Sequence, residues 1–489
     1  MLFNSWQFLI FLPVVFIVYF LLPKKIRYIW LLIASYFFYA FWNWKLMYLI
    51  LATTLVSYLA GLFIPKLKKK WQKRLLLIAT LVVSLGILIF FKYFDFLASS
   101  VVSLINMFNG EARWDSFNLI LPIGISFYTF QTLSYVIDIY KEKIEAEKNP
   151  LYYALYVSFF PQLVAGPIER PENLLPQIKN QEGMNSDNMA EGLRLMLIGY
   201  IKKIVIADLI GVYVNNIFLN IGEANGLTIS VGTLLFSIQI LCDFGGYSDI
   251  ARGVAKCFNI DLMVNFDHPY RSESIKEFWK RWHISLSSWL KDYIYIPLGG
   301  SRNKHHFMWI FNIFIVFFIS GLWHGANWTY VIWGMMHFVL RVAEYYIHKG
   351  VVALYDKKGW NYHHKALKIL RMILTFSLVS LCWIPFRASN VNDMAIAFTN
   401  LFTKWDFSEA YFISFSGFIP FTLFDIGVIV LGIILFNTID YLPHMTKIVH
   451  PSGSVIRKGT YALLSILVIA AFIYLQSRGL ASSFIYFQF

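Results

Sequence analysis

Apolar runs of membrane-spanning length set the first limit on how this chain can fold. They recur along its 489 residues at Trp6–Leu22, Tyr28–Trp42, Met47–Ile64, Leu75–Phe91, Leu119–Tyr140, Leu151–Gly166 and Met189–Leu219. Further runs lie at Gly226–Ile250, Phe307–Leu322, Trp328–Ile347, Leu367–Phe386, Thr422–Phe436 and Tyr461–Leu475. A helix needs roughly 20 such residues to cross the hydrocarbon core. Several runs are short or broken by Gly and Pro, which predicts re-entrant segments covered by protein or lining a water-filled cavity. The expected fold is therefore an all-α polytopic membrane protein. Only 14% of the residues are charged, and no long stretch lacks hydrophobic spans, so one membrane domain over residues 1–489 is expected.

Charge sets the expected orientation. The basic segments "PKKIR" and "PKLKKKWQKR" follow the first and third spans. Lying two spans apart, they share a side, which the positive-inside rule makes cytoplasmic. Lys447, Arg457 and Lys458, before the final span, fall on the same side. Both termini are then predicted outside, with an even number of crossings, about ten to twelve. The apolar start has no basic leader and no small-residue cleavage site after it, so it reads as a retained first span. The net charge of +14 follows from cytoplasmic retention of Lys and Arg, and no segment resembles a nucleic-acid motif. Cys242, Cys257 and Cys382 are scattered, so neither a disulfide framework nor a metal or redox site is expected.

The segment 261–306 mixes charge with aromatics. Phe278, Trp279, Trp282, Leu286, Trp289, Leu290 and Tyr293 share a face at helical spacing. An amphipathic or re-entrant helix at the cytoplasmic interface is predicted, capped by Ser272 or Ser274 and ended by "PLGG", with His283 on its apolar side.

Polar groups in apolar spans are expensive and thus functional candidates. The richest place is "ISGLWHGANW". Here His324 follows Trp323, Asn327 lies three residues on, and Gly321 and Gly325 would let another chain or a ligand come close. A buried histidine bonded to a neighbouring helix is the plain alternative. Desolvation disfavours the imidazolium, however, and neutral imidazole is what a general base in acyl transfer needs. Asp243, Gln131 and Gln162 are candidates for a substrate path. Helix-to-helix hydrogen bonding is the alternative for these three, and for Asp138, Asp208, Gln239 and Asp249. Lys276, Lys280, Arg281 and Arg302 would attract an anionic donor, or simply mark the cytoplasmic side. No metal-ligand spacing, phosphate-binding loop or serine-hydrolase elbow occurs.

The motifs "LPIGISFYTFQTLSYVIDIYK", "FFPQLVAGPIERP", "CDFGGYSDIARG", "EFWKRWHISLSSWLKDYIYIPLGGSR" and "SGLWHGANWTYVIWG" resemble the membrane-bound O-acyltransferase family. The similarity is strongest to its bacterial branch that acetylates alginate or cell-wall polysaccharide. It runs from the first span to about Phe386, with Gly245 departing from the branch's usual serine. The resemblance implies a ring of helices around a tunnel, in a multi-pass protein of the bacterial cytoplasmic membrane. A cytoplasmic acyl thioester, acetyl-CoA, would be the donor substrate, with no tightly bound cofactor. It implies that the family's catalytic histidine is His324 and that its second characteristic position is His283.

The resemblance also bears on the closing residues "FIYFQF", which look like the acyl motif of a small partner protein in D-alanylating relatives. The implied role is that Tyr486 carries the acyl group, with Phe484 and Phe489 as anchors in an extracellular funnel. An interfacial aromatic belt is the alternative. An extracellular SGNH-type acetyltransferase would then pass the acetyl group to a polysaccharide hydroxyl. The rivals are D-alanyl or other acyl transfer from a carrier protein, a transporter without acyl chemistry, and a scaffold for the extracellular enzyme.

Overall fold

The computed structural model describes residues 1–302, 305–358, 364–418, 427, 430, 455–477 and 484–485. They form helices joined by turns, with no strand among the described residues. Five helical stretches there are long and apolar enough to cross a membrane: Lys24–Lys66, Lys70–Met107, Gly226–Cys257, His306–His324 and Lys365–Arg387. Trp6–Leu21 and Tyr461–Ser477 are shorter apolar helices.

The first helix shows why these segments need lipid. Phe8, Phe11, Val15 and Tyr19 recur at helical spacing and are buried. The opposite side carries Trp6, Ile10, Val14, Ile17 and Leu21, all exposed and all apolar. A helix that is apolar all round and half uncovered by protein has its outer face in hydrocarbon. The all-α polytopic expectation is met.

Three expected spans are broken. The run Leu119–Tyr140 becomes helical only at Ile125, after Gly124 turns the chain at φ +75°. The run Leu151–Gly166 divides into Pro150–Ser158 and Phe160–Leu163, with non-helical Phe159 between them and Pro161 opening the second. The run Met189–Leu219 is interrupted by a π-helical stretch, Ile201–Asp208. The expected span Thr422–Phe436 lies outside the described residues, apart from two isolated positions.

The chain clusters into two compact units. One comprises Met1–Met196 and Ile250–Met263, the other Leu197–Asp249 and Val264–Phe489. In the first, Gln131 and Gln162 each donate a side-chain N–H to the carbonyl of Tyr156, at 2.6 and 2.8 Å. Both amides are buried, so these bonds satisfy groups that would otherwise destabilise the fold. In the same unit Glu169 accepts the amide of Met263 and the side-chain N–H of Asn173, tying its loop to residue 263.

The second unit is built around a helical hairpin, His306–His324 and Trp328–Lys358. Small residues let the two backbones touch. A Cβ at Gly321 would overlap the carbonyl oxygen of Tyr330, and one at Gly334 that of Phe317. In lipid such close packing replaces the hydrophobic drive that water would supply.

This hairpin gives a paired prediction. Gly334→Ala forces the helices apart and is expected to cost about 1–3 kcal/mol. Gly350→Ala, in the same helix but with open space around it, is expected to stabilise by up to about 1 kcal/mol. Thermal unfolding of the two variants in one detergent checks the opposite signs.

Candidate active site

The expected amphipathic helix, from Ser272 or Ser274 to "PLGG", is not one helix. It runs from Ile275 to Arg281, stops, and restarts from Ile284 to Leu290. Ser274 caps the start, its hydroxyl accepting the amide of Glu277 at 3.1 Å. Trp282 is extended at φ −100°, ψ 129°, and His283 is left-handed at φ 43°, ψ 55°. Left-handed backbone is unfavourable for a residue with a Cβ, so something must hold it.

Asn265 holds it. Its carbonyl accepts the amide of Ile284 at 2.9 Å. Its side-chain oxygen accepts both the amide and the hydroxyl of Ser285, at 3.2 and 2.7 Å. Its side-chain N–H donates to the hydroxyl of Ser248 at 3.1 Å. The break therefore has its own polar network on buried residues. The aromatic face foreseen at the interface is largely turned inward: Phe278, Trp282, Leu286, Trp289 and Leu290 are buried in the protein.

The break places the imidazole of His283 in an aromatic cage. Its ring is fully buried, 4.7 Å from Phe244 and 5.5 Å from Trp323, centroid to centroid. His324 closes the helix His306–His324 and is buried as well. It lies 4.8 Å from Trp333, 5.1 Å from Phe386 and 6.3 Å from His283. The two histidines singled out in the sequence, far apart along the chain, thus meet with Trp323 in one aromatic pocket. Gly321 and Gly325, expected to admit a ligand or another chain, instead admit Tyr330 of the next helix. Asn327 caps that helix, accepting the amide of Thr329 at 3.0 Å and donating to the carbonyl of Ser389 at 2.9 Å.

A cavity of about 200 Å³ opens beside this pocket. Lys276, Lys280, Lys291 and Arg341 contribute cations to its lining, and Trp279 and Phe317 contribute apolar walls. Ile313, Phe317 and Ser320 line it from the helix His306–His324. Their spacing of three and four residues continues to His324, so one helix face leads from the cavity to the histidine. Of the basic residues proposed from sequence, Lys276 and Lys280 belong to the cavity. Arg281 instead pairs with Glu277 at 2.9 Å, and the side chain of Arg302 lies outside the described residues.

Several contributors were not foreseen, among them Asn265, the cage rings Phe244, Trp333 and Phe386, and the cavity cations Lys291 and Arg341. Another is His337, a third buried histidine, whose Nδ1 accepts the indole N–H of Trp279 at 3.3 Å. That bond fixes the indole that walls the cavity and leaves the His337 proton on Nε2. Asp243 binds Lys203 at 2.6 Å, and its neighbour Phe244 touches His283. Gln131 and Gln162 sit in the first unit, paired through Tyr156. Phe484 is buried against Tyr247 and Phe244, at 4.6 and 5.9 Å. Tyr486 and Phe489 lie outside the described residues. No group of three metal-ligating side chains is found among the described residues.

Burial lowers the His283 pKa from 6.5 to about 3. The folded state therefore refuses a proton that the unfolded chain accepts below about pH 6.5. Stability from this group is complete above that value and is lost as pH falls toward 3. Thermal unfolding of wild type minus His283→Gln across this range is expected to show an acid-side loss of up to about 1.4 kcal/mol per pH unit.

Residues 38–384 match the family model described as MBOAT, membrane-bound O-acyltransferase family. The chain is 37% identical over 425 residues to a peptidoglycan O-acetyltransferase of Helicobacter pylori, covering 80% of this chain and 78% of that one. It is 35% identical over 505 residues to a probable alginate O-acetylase of Pseudomonas putida, covering 100% of both. It is 31% identical over 278 residues to a teichoic acid D-alanyltransferase of Bacillus subtilis, covering 54% of this chain and 67% of that one. The caged histidine pair accordingly lies in a multi-pass membrane acyltransferase, and the chain belongs to the membrane-bound O-acyltransferase family.

Proposed function

We propose that this protein moves an acetyl group from a cytoplasmic thioester, acetyl-CoA, to Tyr486, for O-acetylation of an extracellular polysaccharide. The observation that carries the reading is a continuous line of contacts within the second unit. It starts at the cationic cavity, passes from its wall Trp279 through Trp333 to His324, crosses to His283, and passes through Phe244 to Phe484. The cavity suits a phosphate-bearing donor: cations at the rim draw the phosphates, and the aromatic wall accepts the apolar acyl end. The similarity to proteins named for peptidoglycan and alginate O-acetylation supports acetyl over other acyl groups.

In the proposed step an imidazole nitrogen of His324 takes the proton from the Tyr486 hydroxyl. The phenolic oxygen attacks the thioester carbonyl carbon, and the C–S bond breaks as the new C–O bond is completed. The departing thiolate takes the proton back from the imidazolium, leaving acetyl-Tyr486, free thiol and neutral histidine. His283 assists His324 and helps wall the reacting groups off from water. The serine hydroxyl of a separate extracellular SGNH-type enzyme then attacks the acetyl ester. Tyrosine is released as the phenol, and the acetyl group goes on to a sugar hydroxyl. The bacterial cytoplasmic membrane, with both termini outside, is the setting this route requires.

D-alanyl transfer from a carrier protein is the second reading, favoured by the similarity to the D-alanyltransferase. Purified protein with isotope-labelled acetyl-CoA, quenched in acid and read by peptide mass spectrometry, is expected to carry label on Tyr486. Label is expected to fall at least about 100-fold in His324→Ala and to vanish from that peptide in Tyr486→Phe. An unlabelled Tyr486 in protein that still supports polysaccharide acetylation with its partner would sink the relay. Label from D-alanyl carrier protein alone would move the assignment to the second reading.

A further inference from the structure

The segment 484–485 is held by Phe244 and by groups that the acyl-transfer reading does not use, Tyr247 and Asp243. Phe484 stacks on Tyr247 at 4.6 Å with an interplanar angle of 26°, and packs against Phe244 at 5.9 Å. The amide of Ile485 donates to Oδ2 of Asp243 at 2.7 Å. The other carboxylate oxygen, Oδ1, binds the ammonium of Lys203 at 2.6 Å, and the same ammonium binds Asp208 at 2.8 Å. All three charged side chains are buried, none more than 4% exposed.

The sequence builds this cluster in two steps. The π-helical stretch Ile201–Asp208 puts Lys203 beside Asp208, five residues on, since a π turn closes at that spacing. Gly246 then lets the helix Gly226–Cys257 settle on that stretch. A Cβ at Gly246 would stand 2.7 Å from the carbonyl oxygen of Gly199 and 3.0 Å from the amide nitrogen of Lys203. Lys203 already has a carboxylate in Asp208, and burying a further one is costly unless it gains more hydrogen bonds. Asp243 gains one from the backbone of a segment 242 residues away in sequence.

We infer that Asp243 is a positioning residue that reads the backbone amide at 485, while Tyr247 reads the aromatic ring at 484. The site recognises an aromatic residue followed by one with a backbone N–H to donate. Lys203 orients the carboxylate by holding Oδ1, so that Oδ2 faces the peptide. Phe244 is shared with the cage of His283, so the register of this segment is set beside the histidine pocket. The purpose of the clamp, to present the next residue as acyl acceptor, rests on the reading above; its geometry does not.

The test uses the full chain in detergent micelles and follows hydrogen exchange in the peptide 484–489, together with labelling of Tyr486 from labelled acetyl-CoA. Asp243→Asn is expected to speed exchange in that peptide about tenfold or more while exchange in 275–290 stays as in wild type. Ile485→Pro removes the donor, and with it the isoleucine side chain and the freedom of φ at 485. It is expected to lose at least about ten times more Tyr486 label than Ile485→Val, which keeps the amide. If Asp243→Asn does not fold, the proline and valine pair still decides the matter, by exchange and by label. Wild-type exchange in both Asp243→Asn and Ile485→Pro overturns the clamp, whether or not Tyr486 is labelled. Faster exchange with Tyr486 unlabelled even in wild type supports the clamp and removes the relay.

Discussion

A backbone break stabilised by one amide side chain underlies the geometry of the site. His283 occupies a left-handed conformation that costs on the order of 1 kcal/mol for a residue with a side chain. Were residues 275–290 one continuous helix, that strain would disappear, but the imidazole would leave its cage. Asn265 offsets the cost by accepting both amides that follow the break and the hydroxyl of Ser285. The strain is local, the compensation is polar and buried, and the product is a histidine wedged between Phe244 and Trp323.

His324 reaches the same pocket by a different device. It ends a long apolar helix, where extended Gly325 terminates the helical path. The helix is fixed by backbone-to-backbone packing at Gly321 and Gly334. A short strained turn thus meets a rigid membrane helix, each supplying one imidazole. The walls come from Trp333 and Phe386, large rings with few rotatable bonds, which hold the pocket at little entropic cost.

Much of this was legible from residues alone, and what was not has physical reasons. Apolar length announced the spans, His324 stood out as a polar group where polarity is expensive, and His283 was marked by its place on an apolar face and by the family resemblance. The break at His283 was hidden because aromatic spacing continues in register on both sides of it, so periodicity reads one helix where there are two. Asn265 carries no signal in a short loop of mixed apolar and polar residues; its value lies in Ser248 and Ser285, which only folding brings near. Gly321 and Gly325 were rightly read as points of close approach, but sequence cannot say what approaches, and it is Tyr330. Lys203 lay inside an apolar run, where a lysine is readily taken for a snorkelling flank, and its two carboxylate partners show it to be internal.

The two sets of cations in the second unit do different work. Lys276, Lys280 and Lys291 line an open cavity, where on the proposed route an anionic donor binds reversibly; Arg341, in the same lining, also pairs with Glu344 at 3.2 Å. Lys203 is sealed between two carboxylates and orders protein against protein. A route from thioester to phenol fits between them on energetic grounds. A thiol has a pKa near 8.5 and a phenol near 10, so an aryl ester keeps much of a thioester's transfer potential. An ester of an ordinary alcohol keeps less. On the proposed route the acetyl group can therefore wait on Tyr486 without losing the drive for the next transfer, provided water is excluded. A cage of aromatic rings around two buried imidazoles is suited to that exclusion.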